Sequence, residues 1–472
     1  MPQQIKFGTD GWRGLIADDY TFENVRRVAH AMAHYIHKHE DASKGVYVAY
    51  DTRFGSRRFA EAASEAMAST GLRVKLADDY TPTPALSYAI KKFGAAGGVM
   101  ITSSHNPANW NGVKYKAKYG GSGTPTIMKQ IESYLDAPVI MKSGGKVEAF
   151  DFKAPYFEVL KSFVDLDAIA KANFRFCIDV MYGAGRGVLS KIFSERGISH
   201  VEIRGEVNPL FPGINPEPIL PHIAALQEAT VREKAHAGLA TDGDADRIGA
   251  VDERGRFVDA HKCFAVILKW LLEKKQWPGA ITRAFNTTSM LDRMAKKHGR
   301  ELVEHGIGFK YVCDVVLSGK EVLVGGEESG GIGIPRHLPE RDGILNSLVI
   351  ANVMANYGMS LGQLVDSLQA EYGEHHYGRI DMHLDNAVKE DAMRRAGERP
   401  AKIGKLQVSR IEDMDGMKFF FETPNNGNGA DAWVLIRASG TEPLLRVYSE
   451  ASSPEMVQDI LGEAEKFVHR RA

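Results

Sequence analysis

Residues 44–71, KGVYVAYDTRFGSRRFAEAASEAMASTG, contain the pattern that decides the fold. The segment KGVYVAYD is almost continuously apolar, which is typical of a strand buried on both faces of a sheet. Residues 56–71 follow a short turn and predict a helix that ends at Gly71. Strand and helix then alternate along most of the chain, and the next strong strand is expected at 98–103. This order predicts layers of helix packed against parallel strands.

The length of the chain requires several domains. A single hydrophobic core does not grow to 472 residues, and about 150 residues per domain gives three or four domains. The first α/β domain is expected to span 1–150. A second, 151–256, contains a strand at 174–180. A third, 257–373, opens with an apolar helix at 261–275 and closes with helices at 343–357 and 360–372.

The end of the chain has a different pattern. Residues 374–472 contain a series of short predicted strands and then Ser453-Pro454, which is a good signal for the start of a helix. The predicted strands are 405–411, 417–422, 432–437 and 445–450. We therefore predict a fourth domain, of the α+β class, with an antiparallel sheet and a terminal helix.

Composition and charge restrict the classes of function. Hydrophobic residues make up 44% of the chain and charged residues 25%, which is ordinary for a folded protein, and we interpret it as an enzyme. Lysine and arginine number 59 against 60 aspartates and glutamates, so no overall charge attracts nucleic acid or an anionic membrane. Without a secretory signal or a long apolar run, a cytoplasmic location is expected. Cys177, Cys263 and Cys313 lie in apolar stretches and are expected to be buried thiols.

Three aspartates, Asp242, Asp244 and Asp246, follow the apolar strand at 237–240. Carboxylates at alternate positions of a tight turn supply the hard oxygen ligands that a divalent cation requires. An EF-hand is excluded, because Arg247 occupies the position where the calcium loop needs glycine. We predict a Mg²⁺ site that takes its remaining oxygen ligands from phosphate and water, with a solvated acidic turn as the alternative.

Two glycine-containing loops carry groups suited to a sugar phosphate. Glu327 and Ser329 lie in GGEESGG and can bind sugar hydroxyls, although a simple glycine-rich connection fits the pattern nearly as well. The loop RASGTEP can form a phosphate cradle from arginine, hydroxyl and backbone groups, with a surface turn as the alternative. The candidate residues of this second loop are Arg437, Ser439, Gly440 and Thr441. The sequence has neither a Walker A motif nor a complete dinucleotide fingerprint.

The segment ITSSHNP, residues 101–107, places Ser104 beside His105 at the end of a predicted strand. Successive side chains of extended backbone point to opposite faces, so His105 is poorly placed to take the proton of Ser104. The G-x-S-x-G motif of an α/β-hydrolase is absent. Lys114, expected on the following strand, is a better candidate for a positive charge or a proton acceptor.

The ordered set of motifs resembles the α-D-phosphohexomutase family, which includes phosphoglucomutases and phosphomannomutases. The resemblance covers the whole chain, and the order of the motifs is more specific than any one of them. The motifs are FGTDGWRG at 7–14, the serine loop, NPEP at 215–218, DGDADR at 242–247, GEESGG at 326–331, ERDG at 340–343 and RASGTEP at 437–443. The resemblance implies three similar α/β domains with mixed sheets and a C-terminal α+β domain with an antiparallel sheet, the four domains surrounding a central cleft.

The resemblance also implies a reaction. Ser104 would carry a phosphoryl group between turnovers and would share Mg²⁺ with the three aspartates. The enzyme would interconvert a hexose 1-phosphate and a hexose 6-phosphate, with glucose 1,6-bisphosphate as intermediate and activator. Lys114 would exchange a proton with the substrate, while Arg13 and Arg247 would stabilise negative charge.

Substrate contacts are implied by the same resemblance. Glu327 and Ser329 would hold sugar hydroxyls, and His105, Arg247 and Gly306 would also contact the substrate. Arg437, Ser439, Gly440 and Thr441 would hold the phosphate that does not react. The expected partners are small-molecule hexose phosphates, with no nucleic acid or membrane, and the protein is expected to be a monomer or a homodimer.

The choice of sugar stays open at this point. The motif GEESGG favours glucose or mannose phosphates over the glucosamine type. A phosphoglucosamine mutase is the main alternative, followed by a metal-dependent sugar phosphatase. A non-catalytic protein that binds sugar phosphates is a third interpretation, which the combination of Ser104, Lys114 and the three aspartates disfavours.

Overall fold

The computed structural model describes residues 5–8, 11–422, 429–438 and 444–470. Two compact units form within the chain. One contains the residues up to Gly279 together with Gly308–Leu364, and the other contains Ala280–Ile307 together with the residues from Val365 onward. The chain therefore begins in the first unit, enters the second at Ala280, returns to the first at Gly308 and enters the second again at Val365.

The first α/β domain is built on a mixed sheet. Its strands are Gly11–Leu15 (β1), Val46–Tyr50 (β2), Arg73–Ala77 (β3), Gly97–Ile101 (β4), Trp110–Ala117 (β5) and Lys146–Phe150 (β6). Its helices are Phe22–His39 (α1), Ser56–Ala68 (α2), Thr83–Phe93 (α3) and Pro125–Glu132 (α4). The strand order is β1-β5-β4-β2-β3-β6. Strand β2 is parallel to β3 and β4, and β5 is antiparallel to β1 and β4.

Burial explains why residues 44–71 form a strand and a helix. All side chains of β2 are buried, as expected for a strand that is covered on both faces. Helix α2 begins at Ser56 as predicted and ends shortly before Gly71, which has a φ of +88°. Strand β4 ends at Ile101, so that Thr102 and Ser103, which the sequence pattern assigns to the strand, begin a loop instead.

The second α/β domain has the same layered construction. Its helices are Lys153–Phe163 (α5), Leu166–Lys171 (α6), Val188–Glu195 (α7) and Ala224–Arg232 (α8), and its strands are Arg175–Asp179 (β7), Ser199–Ile203 (β8), Ala237–Thr241 (β9), Ile248–Asp252 (β10) and Phe257–Val258 (β11). The strand order is β11-β10-β9-β7-β8. Strand β7 is parallel to β8 and β9, whereas β10 is antiparallel to β9 and β11. The antiparallel turn between β9 and β10 carries the three aspartates.

The predicted third domain contributes to both units. It opens with Ala260–Trp270 (α9), which continues into a π-helical turn, Leu271–Lys275. The second unit contains Ala280–Ala284 (β12), Met290–Lys297 (α10) and Leu302–His305 (β13), and β12 is parallel to β13. The first unit contains Phe309–Leu317 (α11), Val322–Gly326 (β14), Ile332–Gly333 (β15) and Gly343–Tyr357 (α12), and β14 is antiparallel to β15. Helix Leu361–Tyr372 (α13) follows.

An antiparallel sheet forms the C-terminal part of the second unit. Its strands are His376–His383 (β16), Lys402–Ile403 (β17), Leu406–Glu412 (β18), Met417–Phe421 (β19), Trp433–Ala438 (β20) and Leu444–Ala451 (β21), in the order β16-β21-β20-β19-β18-β17. The helices are Asn386–Gly397 (α14) and Pro454–His469 (α15). Ser453 caps α15 by accepting a hydrogen bond from the backbone of Met456, as the Ser-Pro signal predicts. The α+β class predicted for this part of the chain is therefore observed.

Two further expectations concern apolar segments. Cys177, Cys263 and Cys313 are free and buried, which confirms the prediction. Among the described residues, no single helix combines the length and the apolar content needed to cross a bilayer. Helices α12 and α13 meet these criteria only as a pair, which is bent by 77°.

Candidate active site

The three aspartates form one buried cluster. Asp242, Asp244 and Asp246 lie in the turn between β9 and β10, and the side chain of each is completely buried. One carboxylate oxygen from each residue lies within 4.8 Å of the others. Three buried carboxylates at this separation repel one another, so the turn favours a bound cation.

Hydrogen bonds fix this turn and leave oxygens for a metal. Asp242 Oδ1 accepts hydrogen bonds from the backbone N–H groups of Asp246 (3.0 Å) and Arg247 (3.1 Å). Asp244 Oδ1 and Asp246 Oδ1 are buried and accept no hydrogen bond from the described residues. Buried oxygens without a donor are exceptional, and an all-oxygen set of this kind fits Mg²⁺.

Positive side chains surround the cluster. Lys114 Nζ lies 2.8 Å from Asp244 Oδ2 and 3.4 Å from Asp246 Oδ2. Arg341 Nη2 lies 2.8 Å from Asp246 Oδ2. Burial, followed by the charges of Asp244 and Asp246, raises the pKa of Asp242 well above its ordinary value. Burial also acts to raise the pKa of Asp244, but the ammonium of Lys114 outweighs it and holds that pKa well below the ordinary value.

Ser104 faces the aspartates from the loop after β4. Its side chain is buried, and its Oγ donates a hydrogen bond of 2.8 Å to Asp242 Oδ2. The backbone of Ser104 has a φ of +52°, and its N–H donates to Thr102 Oγ1 at 2.8 Å. The structure therefore brings this serine together with the aspartate turn, and the hydroxyl points toward the carboxylate of Asp242.

Gly243 allows the two loops to meet. A Cβ atom at this position would lie 2.4 Å from the carbonyl oxygen of Ser104, which is far inside van der Waals contact. Only glycine lets the backbone of the aspartate turn approach the serine loop this closely.

Arg13 and His105 both lie at the serine loop. Arg13, on β1, donates from Nη1 to Asn106 Oδ1 at 2.8 Å, so it contacts the serine loop. His105 Nδ1 is buried and has no hydrogen-bond partner among the described residues. Burial, followed by the charge of Arg247, holds the pKa of His105 well below its ordinary value. His105 is therefore a neutral neighbour of Ser104 in this structure.

Arg247 closes the aspartate turn. Its guanidinium lies 3.5 Å from Glu217 and 3.9 Å from Asp246, measured between the nearest nitrogen and oxygen atoms. Burial acts to lower its pKa, but the charges of Asp242 and Asp246 outweigh burial and raise it. The side chain thus stays charged beside the cluster.

The glycine-rich loop after β14 places Glu327 near the cluster. Glu327 is buried, and its Oε2 lies 3.3 Å from Arg341 Nη1. Burial, opposed by the charge of Arg341, raises the pKa of Glu327 to about 7. The carbonyl of Gly330 accepts a hydrogen bond of 3.0 Å from the backbone of Ile248, the first residue of β10. Ser329 lies in the same turn and is partly exposed.

Family models match almost the whole length of the chain. They are described as phosphoglucomutase/phosphomannomutase alpha/beta/alpha domain I (residues 4–138), domain II (154–255), domain III (259–372) and C-terminal domain (393–466). The chain belongs to the α-D-phosphohexomutase family. The predicted family, fold class and enzyme class, a mutase that transfers a phosphoryl group, are confirmed.

Individual relatives match this mutase over nearly its full length. A phosphoglucomutase/phosphomannomutase from Thermococcus kodakarensis is 30% identical, over 96% of each chain. A phosphoglucosamine mutase from Carboxydothermus hydrogenoformans is 30% identical, over 97% of each chain. A crystal structure from Thermus thermophilus, provisionally described as a phosphomannomutase, is 36% identical with a TM-score of 0.87, and both chains are covered completely.

Sequence reasoning did not identify several residues that support the site of the mutase. Thr83, at the start of α3, donates from Oγ1 to Asp244 Oδ2 at 2.6 Å, and its N–H donates to the carbonyl of the same residue at 2.9 Å. Arg341 joins Glu327 to Asp246. The neighbouring Glu340 is buried and pairs with Lys116 at 2.6 Å. The motif ERDG, residues 340–343, contains Glu340 and Arg341, but its spacing does not indicate a role for either residue.

The remaining predicted residues belong to the second unit of the mutase. His305 Nδ1 lies 2.8 Å from the carbonyl oxygen of Gly306. Asp415 accepts hydrogen bonds of 2.8 Å from Arg437 Nε and from the backbone of Ile307, so it connects Arg437 to the residue after Gly306 within this unit. The sequence pattern did not reveal Asp415. The predicted phosphate residues Ser439, Gly440 and Thr441 lie outside the described residues.

Proposed function

We propose that this mutase interconverts a hexose 1-phosphate and a hexose 6-phosphate, and that Ser104 carries the phosphoryl group between turnovers. Glucose is the leading sugar and mannose the next. The observation that carries the proposal is the hydrogen bond of 2.8 Å from Ser104 Oγ to Asp242 Oδ2, at the edge of the buried carboxylate cluster. A hydroxyl in this place can hold a phosphoryl group beside a cation.

Each transfer needs position and charge more than a strong nucleophile. In the first half, a sugar hydroxyl oxygen bonds to the phosphorus as the bond from phosphorus to Ser104 Oγ breaks. Lys114 Nζ gives a proton to the departing Ser104 Oγ and takes the proton of the sugar hydroxyl, and Arg13 and Arg247 stabilise the negative oxygens. In the second half, the other phosphate of the resulting bisphosphate returns its phosphoryl group to Ser104.

The cation site belongs to this proposal. Asp242, Asp244 and Asp246 would hold Mg²⁺ together with the phosphoryl group on Ser104, and glucose 1,6-bisphosphate would serve as intermediate and activator. When bound, Mg²⁺ offsets the negative charge that phosphoryl transfer develops. The two buried aspartate oxygens without hydrogen-bond donors support this assignment.

Substrate binding is divided among the loops. Glu327 and Ser329 hold sugar hydroxyls, with His105 and Gly306 as further contacts. Arg437, Ser439, Gly440 and Thr441 hold the phosphate that does not react.

Three further expectations stay predictions. They are the domain boundaries near residues 150, 256 and 373, the monomeric or homodimeric state, and the cytoplasmic location.

A phosphoglucosamine mutase is the second candidate, and the relative of that name at 30% identity favours it. Rates measured side by side on glucose, mannose and glucosamine 1-phosphates, with Mg²⁺ and a trace of the matching bisphosphate, distinguish the sugars. Release of inorganic phosphate without an isomerised sugar would instead indicate a phosphatase.

Replacement of the serine tests the central step. Intact-mass measurement should find one phosphate on the wild-type protein, and peptide mapping should place it on Ser104. Ser104→Ala should lower kcat by at least about a thousandfold, because the phosphoryl carrier is lost. Ser103→Ala, at the adjacent position, is the matched control. Full activity in Ser104→Ala would disprove the proposed carrier.

A further inference from the structure

One buried arginine, Arg53, holds the backbone of the serine loop. Its Nη2 donates to the carbonyl oxygens of Ser104 (2.7 Å) and Asn106 (2.5 Å). Its Nη1 donates to those of Pro107 (2.8 Å) and Trp110 (3.1 Å). The fixed, planar arrangement of guanidinium donors lets one side chain bind four carbonyls at once.

The arginine is itself fixed by residues outside the loop. Its Nε lies 3.3 Å from Asp51 Oδ2, and both side chains are completely buried. Asp51 directly follows β2, and its Oδ1 accepts hydrogen bonds from the backbone of Arg53 (3.0 Å) and from Ser56 Oγ (2.8 Å). The ring of Phe211 lies 5.0 Å from the guanidinium carbon. The position of Arg53 is therefore set by β2 and the start of α2.

The loop that Arg53 holds has an unfavourable backbone conformation. Ser104 has a φ of +52°, in the left-handed region that residues with a side chain seldom adopt. Such a conformation persists only where the surroundings fix it, and it is common at functional sites. Arg53 binds the carbonyl of Ser104 and Thr102 binds its N–H, so both sides of this residue are held.

We propose that Arg53 is a positioning residue for phosphoryl transfer. It holds Ser104 in the left-handed conformation and thereby keeps the phosphorylated side chain directed at Asp242, Asp244 and Asp246. Arg53 acts through the carbonyl oxygens of the loop, and its effect falls on the transfer step rather than on sugar binding. This inference rests on the proposed role of Ser104 as phosphoryl carrier.

The test compares Arg53→Lys with Arg57→Lys. Lysine keeps the positive charge, but its single ammonium cannot span the four carbonyls. Arg57 lies on helix α2, four residues after Arg53, with its side chain 66% exposed, and serves as the matched control. Each protein is first phosphorylated with glucose 1,6-bisphosphate, and kcat and KM for glucose 1-phosphate, the thermal midpoint and the phosphate content of Ser104 are then measured.

We expect Arg53→Lys to lower kcat by about 10- to 100-fold, because a small misplacement of a reacting group has an effect of this size. The KM should stay within about threefold, since the sugar contacts are intact. A kcat within twofold of wild type in a folded, phosphorylated variant overturns the inference. The inference is also overturned if kcat falls only in proportion to the fraction of the protein that is unfolded.

A second variant keeps the inference testable if Arg53→Lys does not fold. Asp51→Asn keeps the guanidinium but removes the charge that orients it, and should lower kcat by a few fold at unchanged KM. An unchanged kcat in Asp51→Asn overturns the inference in that case. The wild-type protein separates the two proposals: if it carries no phosphate on Ser104 and still turns over, the proposed carrier fails, whatever Arg53 does.

Discussion

Asp242, Asp244 and Asp246 occupy alternate positions of one turn, but their hydrogen bonds give them different tasks. Asp242 is bound by two backbone N–H groups and by Ser104, so it fixes the turn and receives the serine. Asp244 and Asp246 each pair with Lys114 through Oδ2, and the Oδ1 atom of each is buried and accepts no hydrogen bond from the described residues. Identical side chains thus have different surroundings: Asp242 also anchors the turn and the serine loop, whereas Asp244 and Asp246 each present one oxygen that has no donor among the described residues.

Glu327 predicts a pH dependence of stability. Burial raises the pKa of its carboxyl to about 7, so the folded protein keeps a proton that the unfolded chain releases above about pH 4.5. The free energy of unfolding should therefore fall as pH rises from about 4.5 to 7, by up to about 3 kcal/mol from this group. Glu327→Gln should remove this contribution, and urea unfolding at pH 5 and pH 8 at constant Mg²⁺ measures it.

Glu321→Gln is the control for this experiment. Glu321 directly precedes strand β14, which Glu327 directly follows, but the side chain of Glu321 is 60% exposed. Its replacement should leave the pH dependence of unfolding as in wild type. If the free energies of unfolding of Glu327→Gln and wild type differ by the same amount at pH 5 and at pH 8, the raised pKa of Glu327 is wrong.

The identities of the acidic and serine residues could be predicted from sequence, whereas the groups that hold them could not. Alternate aspartates and a serine beside a turn are local patterns. Thr83 and Arg341 reach the cluster from positions distant in the chain, and no local spacing reports a contact of that kind. Arg53 is a further example, because its four acceptors are backbone carbonyls that any sequence would supply.

At the scale of elements, Asp342 joins helix α12 to two other segments. Its Oδ1 caps the helix by accepting from the N–H of Leu345 (2.8 Å) and also accepts from Tyr156 (2.7 Å), while its Oδ2 lies 3.0 Å from His337 Nε2. The backbone N–H of Gly343, the first residue of the helix, donates to the carbonyl of Ala245 at 3.1 Å. The start of α12 therefore supports the aspartate turn directly.

Asp342→Ala should destabilise the protein by about 2–4 kcal/mol, because it removes a helix cap and leaves buried donors without acceptors. Urea unfolding measures the loss. Tyr156→Phe removes one of these hydrogen bonds and should lower the free energy of unfolding by only about 1 kcal/mol. Equal losses in both variants would show that the cap contributes little.

Helices and strands with a strong apolar pattern were predicted well, and those without such a pattern were not. Helix α12 is observed at the bounds that its sequence predicts, because its apolar residues are bounded by Asp342 and Gly358. Strand β16 and helix α14 were not predicted. Most residues of β16 are only partly buried or exposed, and α14 buries Ala392 and Ala396 alone, so neither carries a clear apolar period.

At the scale of the whole molecule, cation binding should stabilise the folded chain. The buried carboxylates repel one another, and a ligand that binds only the folded state adds about 2.7 kcal/mol at a hundred times its Kd. Mg²⁺ should raise the Tm of wild-type protein treated with EDTA and restore its activity. Asp246→Asn should show a much smaller rise in Tm.

Asp136→Asn is the control for a general salt effect, because the side chain of Asp136 is 80% exposed. The Tm of Asp136→Asn should respond to Mg²⁺ as the Tm of wild type does. The same rise in Tm in Asp246→Asn and in wild type would contradict a cation site at the aspartate turn.

The division into two units was the part of the architecture that sequence could not supply. The segment Ala280–Ile307 falls in the predicted third domain, yet it forms a compact unit with the residues from Val365 onward. Hydrophobic periodicity identifies a strand or a helix but not the sheet or core that it joins. Contacts between segments far apart in the chain decide that grouping.

The three buried thiols have a practical consequence for measuring motion in this enzyme. Burial raises the pKa of each, that of Cys177 to about 11, so little reactive thiolate is present at neutral pH. A maleimide dye would react first with a cysteine introduced at the surface. Fluorescent probes can therefore be attached at chosen positions while the native cysteines are left in place.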